Sequence, residues 1–386
     1  MGDADGPGVE HELAQFVLVD RRQLDHVTLR MGRQGPYGGR VSERAVVSGV
    51  EGGEMVFRLA DPEHALGGVR LWEQLGVAAE MLEFKPVVYG WELRLPRPSV
   101  HRMEYMFDIT DGAMITDPTN PRVVNGAFGK HSWLPLPGYV EPGWLSVEPI
   151  QSSLTALPVD PTPVGLVDVQ VWSPDGIAPG FELPLLLSHD GPEFASYAGL
   201  TQYVGAMVAS GELPPLRLAL VRPGSRNLWY AANPDYATAL TQHVLPAVTT
   251  AYKSRKPVMM GASLGALAAL YAEWNHPGTF AGLFLQSGSF FTLDTDPQES
   301  RFEFYDEVTG FVRSVLSATE SPCRPAIAMT AGTPEENVHN NRVMAAHLAE
   351  LGLDVSFDEA PDMHNFTAWR DVLEPCLTDL LHRVWA

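Results

Sequence analysis

Cysteine is almost missing from this chain: 386 residues carry two, Cys323 and Cys376. Two thiols exclude a disulfide framework and a four-thiolate zinc site. They fit reduced, buried side chains in a cytoplasmic protein. Basic residues are scarce too. Lys and Arg total 26 against 47 Asp and Glu, a net charge of −21, so the clustered positive charge that nucleic acid and anionic membranes select is lacking. The acidic excess is read as solubility and nothing more. No apolar run approaches ~18 residues, so no membrane span is expected. The start, MGDADGPGVEHEL, lacks the basic-then-apolar order of a secretory leader. Also lacking are a G-x-x-x-x-G-K-[ST] phosphate loop, an H-E-x-x-H metal helix and a dinucleotide fingerprint in its required setting.

What is present falls into two rhythms, and the length allows two domains. Up to about residue 150, short segments alternate with period two. VVYGWELRL places Val87, Tyr89, Trp91, Leu93 and Leu95 on one face, RMEYMFDIT does so with Met103, Tyr105, Phe107 and Ile109, and MVFRL with Met55, Phe57 and Leu59. Such segments, split by Gly, Pro and Asp, predict antiparallel strands packed as a β-sandwich over 1–150. Residues 116–149, rich in Pro, Gly and Asn, read as a long ordered loop.

From 151 to 386 the pattern changes to continuous apolar runs: LPLLLS, LRLALV, PVMMG, AGLFLQ and PAIAMTAG. These predict strands buried on both faces of a mostly parallel sheet. Helical spacing lies between them, at Leu264, Leu267, Tyr271 and Trp274, and again at Met344, Leu348 and Leu351 with Gly352 as a stop. The last segment, from Trp369 to Val384, is also helical, with a kink or restart at Pro375. The expected fold class is α/β, doubly wound.

Within that frame Gly261-Ala262-Ser263-Leu264-Gly265 matches G-x-S-x-G between a predicted strand and a predicted helix. A serine on that sharp turn projects its hydroxyl at the sheet's carboxyl edge, and the Leu264 amide at the helix start can stabilise an oxyanion. The plainer alternative is that Ser263 only caps the helix. A nucleophilic serine needs a base. His276, His339, His347 and His382 fall on predicted helices or their ends, whereas His364 lies in the late loop APDMHNF, after a short strand at 355–358. The acid should follow the strand ending at Gly332, where Glu335 and Glu336 stand side by side and spacing does not separate them. A second oxyanion donor belongs after LPLLLS, in Ser188-His189-Asp190-Gly191-Pro192. Pro192 has no amide hydrogen, which leaves Gly191 or a residue beyond Pro192.

These stretches resemble the enterochelin (ferric siderophore) esterases and the wider esterase group of α/β-hydrolases. The similarity runs through LLLSHDGPEF, RPGSRNLWYAANPDYATALTQHVLPAV and GASLGALAALYAEWNHPGTFAGLFLQSGSF to the late His followed by Trp369-Arg370, covering about 165–386. YMFDITDG and TDPTNP resemble, more weakly, that family's N-terminal immunoglobulin-like domain. The resemblance implies Ser263 as nucleophile, His364 as base and Glu335 as acid, with no metal or organic cofactor and a small-molecule ester as partner. Departures stand at Asp362-Met363-His364-Asn365, where the family often has Gly-Gly-His-Asp, and at Ala266 and His243. They bear on substrate rather than on the triad. Arg226, with Arg222 near it, and Asp190 are the substrate-binding candidates, although no Arg-rich cluster for a highly anionic ligand is visible. Two other readings share the sequence: an acyltransferase with the same triad, and a non-catalytic carbohydrate-binding or scaffold protein.

Overall fold

The computed structural model describes residues 48–386 apart from 110, 111 and 128. Residues 1–47, including the acidic start and part of the expected first domain, lie outside it. The described residues belong to one compact unit.

Among the described residues, nine short strands build the first lobe: β1 (Gly49–Glu51), β2 (Glu54–Ala60), β3 (Val69–Trp72), β4 (Lys85–Val87), β5 (Gly90–Pro96), β6 (Arg102–Ile109), β7 (Ala113–Ile115), β8 (Val123–Gly126) and β9 (Gly129–Pro135). One antiparallel sheet runs β1-β2-β5-β4, and the other β3-β6-β9-β8, with β7 also on β6. Their inner faces share a core. Phe57, Leu93 and Leu95 on one side meet Leu71, Tyr105 and Phe107 on the other, and Phe57 packs edge-on against Tyr105 at 4.8 Å between centroids. The run VVYGWELRL is a hairpin rather than one strand. Gly90 turns it with φ 146°, where a Cβ would lie 2.1 Å from the Leu59 carbonyl oxygen, so Val87 and Tyr89 are exposed while Leu93 and Leu95 are buried. The expected loop at 116–149 contains the β8–β9 hairpin and a short 3-10 turn, Gly143–Ser146. Its strands are short and flanked by glycine, which hides the alternation.

The second lobe holds β10 (Ser152–Ala156), β11 (Val169–Pro174), β12 (Leu183–Ser188), β13 (Arg217–Val221), β14 (Ser254–Ala262), β15 (Gly282–Gln286), β16 (Ala326–Gly332) and β17 (Asp354–Ala360). They form one sheet in the order β10-β11-β13-β12-β14-β15-β16-β17. The last six in that order, from β13, are parallel, and β10 and β11 are antiparallel. β12, β13 and β15 are buried along their whole length, as their unbroken apolar runs predict. β10 and β11, which carry no such run, escape the sequence pattern.

Helices cover both faces. α3 (Arg226–Tyr230), α4 (Pro234–Thr238), α5 (Leu245–Ala251), α6 (Leu264–Asn275), α7 (Tyr305–Leu316) and α8 (Val338–Glu350) bury Tyr236, Leu267, Phe311 and Leu348 in one layer. α1 (Gly191–Tyr197), α2 (Leu200–Ala209), α9 (Phe366–Asp371) and α10 (Thr378–Trp385) bury Phe194, Tyr203, Trp369 and Leu380 in the other. The final segment stops at Asp371 and restarts as α10, with Glu374 before Pro375 at a non-helical φ of −109° and ψ of 121°. Among the described residues, no helix is long and apolar enough to cross a membrane.

Candidate active site

Parallel strands send their carboxyl ends to one edge, and there the sequence candidates meet. Ser263 closes β14 and precedes α6 at φ 57°, ψ −126°, a conformation that costs an L-residue about 1–3 kcal/mol. Its backbone is held on both sides. The Ser263 amide donates to the Gln286 carbonyl at 2.9 Å, and its carbonyl accepts from Ala266 and Ser289 at 3.1 and 3.2 Å. The flanking glycines allow the close approach. A Cβ on Gly261 would lie 2.4 Å from the Gly265 carbonyl oxygen, and one on Gly265 would lie 3.3 Å from the His189 Cβ. The Ser263 side chain does not cap α6. Its Oγ lies 3.1 Å from Ser289 Oγ, rather than bonding to an imidazole.

Glu335 and Glu336 separate clearly. Glu336 is exposed and accepts from Gln298. Glu335 is buried, and its Oε2 lies 2.9 Å from His364 Nδ1. Its Oε1 accepts from Ser287 Oγ at 2.8 Å and from the Gly332 amide at 2.9 Å. Trp369 Nε1 in turn donates to Ser287 Oγ at 3.1 Å and packs edge-on against the His364 ring at 5.1 Å. With a carboxylate on Nδ1, the Nδ1–H tautomer is favoured and Nε2 is left as the proton acceptor. Two of the other candidate histidines are occupied differently: His347 and His382 bond to the Val315 and Glu212 carbonyls. Ser287 and Ser289 are site residues that sequence reasoning passed over. The signal is Gln286-Ser287-Gly288-Ser289, small polar residues directly after a buried strand.

Leu264 and Gly191 each open a helix, α6 and α1, where the first amides have no intrahelical acceptor. The loop before Gly191 lies on the start of α6: His189 Nδ1 donates to the Gly265 carbonyl at 2.8 Å. Burial pushes His189 down to about 4, which leaves it neutral at physiological pH. Gly191 fits because a Cβ there would lie 2.4 Å from the Leu220 Cα. The two substrate-binding candidates are paired with one another. Arg226 Nε and Nη2 donate to Asp190 Oδ1 and Oδ2, both at 2.8 Å, and the guanidinium lies over the Tyr230 ring. This bidentate pair holds α3 to the turn before α1.

The family model "Putative esterase" matches residues 165–380, more than half of the chain. The chain belongs to the Putative esterase family. Those residues are its esterase domain, and they include Ser263, Glu335 and His364. Among curated proteins, the iron(III) enterobactin esterase of Escherichia coli (strain K12) is 25% identical over 214 residues, 53% of this chain. The chain spans about half, 51%, of the length of that relative. Among solved structures, the enterobactin esterase of Shigella flexneri, in the presence of enterobactin, matches with a TM-score of 0.72 at 21% identity over 86% of this chain and 93% of its own. The ferric enterobactin esterase of Salmonella typhimurium gives 0.69 at 21% identity over the same shares. A ferulic acid esterase gives 0.52 at 19% identity over 60% of this chain and 99% of its own. At these identities the likeness is one of fold. The 86% share extends beyond the esterase domain into the β-lobe.

Proposed function

We propose that the protein is a serine hydrolase that cleaves carboxylic esters through Ser263, His364 and Glu335. The observation that carries this reading is the Glu335–His364 pair at 2.9 Å, tied by Ser287 and the Gln286–Ser289 turn to the strained Ser263. In this reading His364 Nε2 takes the Ser263 proton as Oγ attacks the ester carbon. Glu335 stabilises the imidazolium, and the Leu264 and Gly191 amides hold the oxyanion. The alcohol leaves with the proton from His364, and water hydrolyses the acyl-enzyme by the same path reversed. The Ser263–Ser289 contact belongs to the resting state, since such hydrogen bonds often align only once substrate is bound.

The finer reading is an α/β-hydrolase domain at 151–386 behind an immunoglobulin-like domain that ends near 150, in a cytoplasmic protein. Two antiparallel sheets around one core support the domain assignment, and two unpaired cysteines support the compartment. The substrate is a small ester, with siderophore-type esters the first to try because the relatives are named for enterobactin. Arg226 serves here as a brace for the Asp190 turn beside the oxyanion site, since its charge is already matched.

The test is a serine-directed fluorophosphonate, with the adduct located by peptide mass spectrometry. Labelling at Ser263 that vanishes in Ser263→Ala and drops strongly in His364→Ala is the expected result. Wild-type protein that takes no label would overturn the reading. Turnover of an aryl ester with and without an added alcohol then separates hydrolysis from acyl transfer.

A further inference from the structure

Arg102 starts β6 in the first lobe and is 0% exposed. A buried guanidinium is expensive unless every side of it is matched, so its partners are informative. Nη1 donates to Glu104 Oε1 at 2.7 Å, and Nη2 donates to Asn365 Oδ1 at 2.6 Å. Nε lies 3.0 Å from Asp362 Oδ2 and 3.7 Å from Asp371 Oδ2. The Asp362 approach is a charge contact without hydrogen-bond alignment. Two of these partners, Asp362 and Asn365, bracket His364.

The rest of that loop is gripped by the same lobe. The Pro361 carbonyl accepts from the His101 amide at 2.7 Å. Met363 is buried in the core between the two antiparallel sheets. Asn365 Nδ2 donates to Gln74 Oε1 at 2.8 Å, while its Oδ1 also caps α9 through the Ala368 amide. Residues 361, 362, 363 and 365 are therefore all anchored on the β-lobe. His364 alone turns the other way, to Glu335 and Trp369.

We propose that Arg102 is a positioning residue for the esterase reaction, and that the β-lobe holds the His364 loop so that the imidazole keeps its Glu335 contact. The proposal rests on the reading of His364 as the base. A loop histidine left to itself samples many ring orientations, and misplacement of about 1 Å costs on the order of a hundredfold in rate. Arg102 removes that freedom by fixing the backbone on both sides of the ring, at a distance from the substrate itself.

The test compares Arg102→Met and Asn365→Ser with wild type. Met replaces the charge with apolar volume. Ser keeps a helix cap for α9 but lacks the reach to Arg102 and Gln74, so it decides the question if Arg102→Met does not fold. With folding checked by circular dichroism, kcat on an aryl ester should fall about 10–100-fold while KM stays within about threefold. The fluorophosphonate labelling rate should fall in parallel. Unchanged kcat and an unchanged labelling rate in a folded variant overturn the proposal and leave the triad reading intact. If His364→Ala labels as fast as wild type, the triad reading itself fails, and the positioning role fails with it.

Discussion

Ser287 shows how much of the site lies one residue away from the chemistry. It is buried at φ 46°, gives its hydroxyl proton to Glu335 and takes one from Trp369. Ser287→Ala removes a donor to a carboxylate and leaves an indole N–H without its acceptor. A hydrogen bond to a charged group contributes about 1.5–3 kcal/mol, so kcat/KM should fall on the order of tenfold and the melting temperature should drop. Steady-state kinetics and a thermal melt on the same preparation check both. Ser263, His364 and the Glu335–Glu336 pair were legible in the sequence because strand ends and loops announce where such side chains can sit. Ser287 and Ser289 were not, since their importance lies in bonds between neighbouring strand ends. Arg102 was hidden for a related reason. β6 reads as a strand with one apolar face, yet both of its faces are buried, and the polar face meets the second lobe.

The turn between β14 and α6 is an element whose geometry is set by what is missing from its glycines. Gly261→Ala would force a Cβ to 2.4 Å from a backbone carbonyl oxygen, which the helix can relieve only by moving away from the strand. Overpacking of this kind costs about 1–3 kcal/mol, and here it also displaces Ser263, so urea unfolding and fluorophosphonate labelling should both worsen. Gly310 is the contrasting case. It is exposed in α7, and a Cβ added there would meet nothing within 4 Å. Gly310→Ala should stabilise by about 0.5–1 kcal/mol, through helix propensity and a less free unfolded chain, with activity unchanged. The parallel strands announced themselves by unbroken apolar runs. β10 did not, because an antiparallel strand at the sheet's edge needs no such run and β10 is exposed throughout; β11, inside the sheet and largely buried, has its run broken by Gln170.

Over the whole molecule, buried groups with opposite pH responses set the slope of the stability curve. Burial, opposed by Arg102, pushes the Asp362 carboxyl up to about 7 from an ordinary 3.8. Between those values the native chain holds a proton that the unfolded chain has released, so Asp362 makes stability fall as pH rises from about 4 to about 7. His189 acts in reverse. Its unfolded imidazole protonates below 6.5, and the buried ring resists until about 4, so stability falls as pH drops through that window. Each pH unit between folded and unfolded values carries ~1.4 kcal/mol, an upper bound of about 4 kcal/mol for Asp362 and about 3 kcal/mol for His189. Glu299, pushed up to about 7 by burial and by Glu336 and Asp296, adds to the fall with rising pH. Burial would raise Glu104, but His131 and Arg102 outweigh it and draw the carboxyl down to about 2. It acts below this window, where its contribution is lost as pH falls from 4.5. Two falling contributions against one rising one mean that the wild type should lose stability as pH rises from about 4.5 to 6.5. His189→Asn keeps a donor for the Gly265 carbonyl without a titrating ring, and its unfolding free energy should decline more steeply than the wild type's as pH rises. Asp362→Asn should flatten the curve over that range, because His189 and Glu299 then oppose one another. Urea unfolding of the three proteins across that range is the measurement. Slopes that run parallel in all three would mean that neither group titrates as its burial requires.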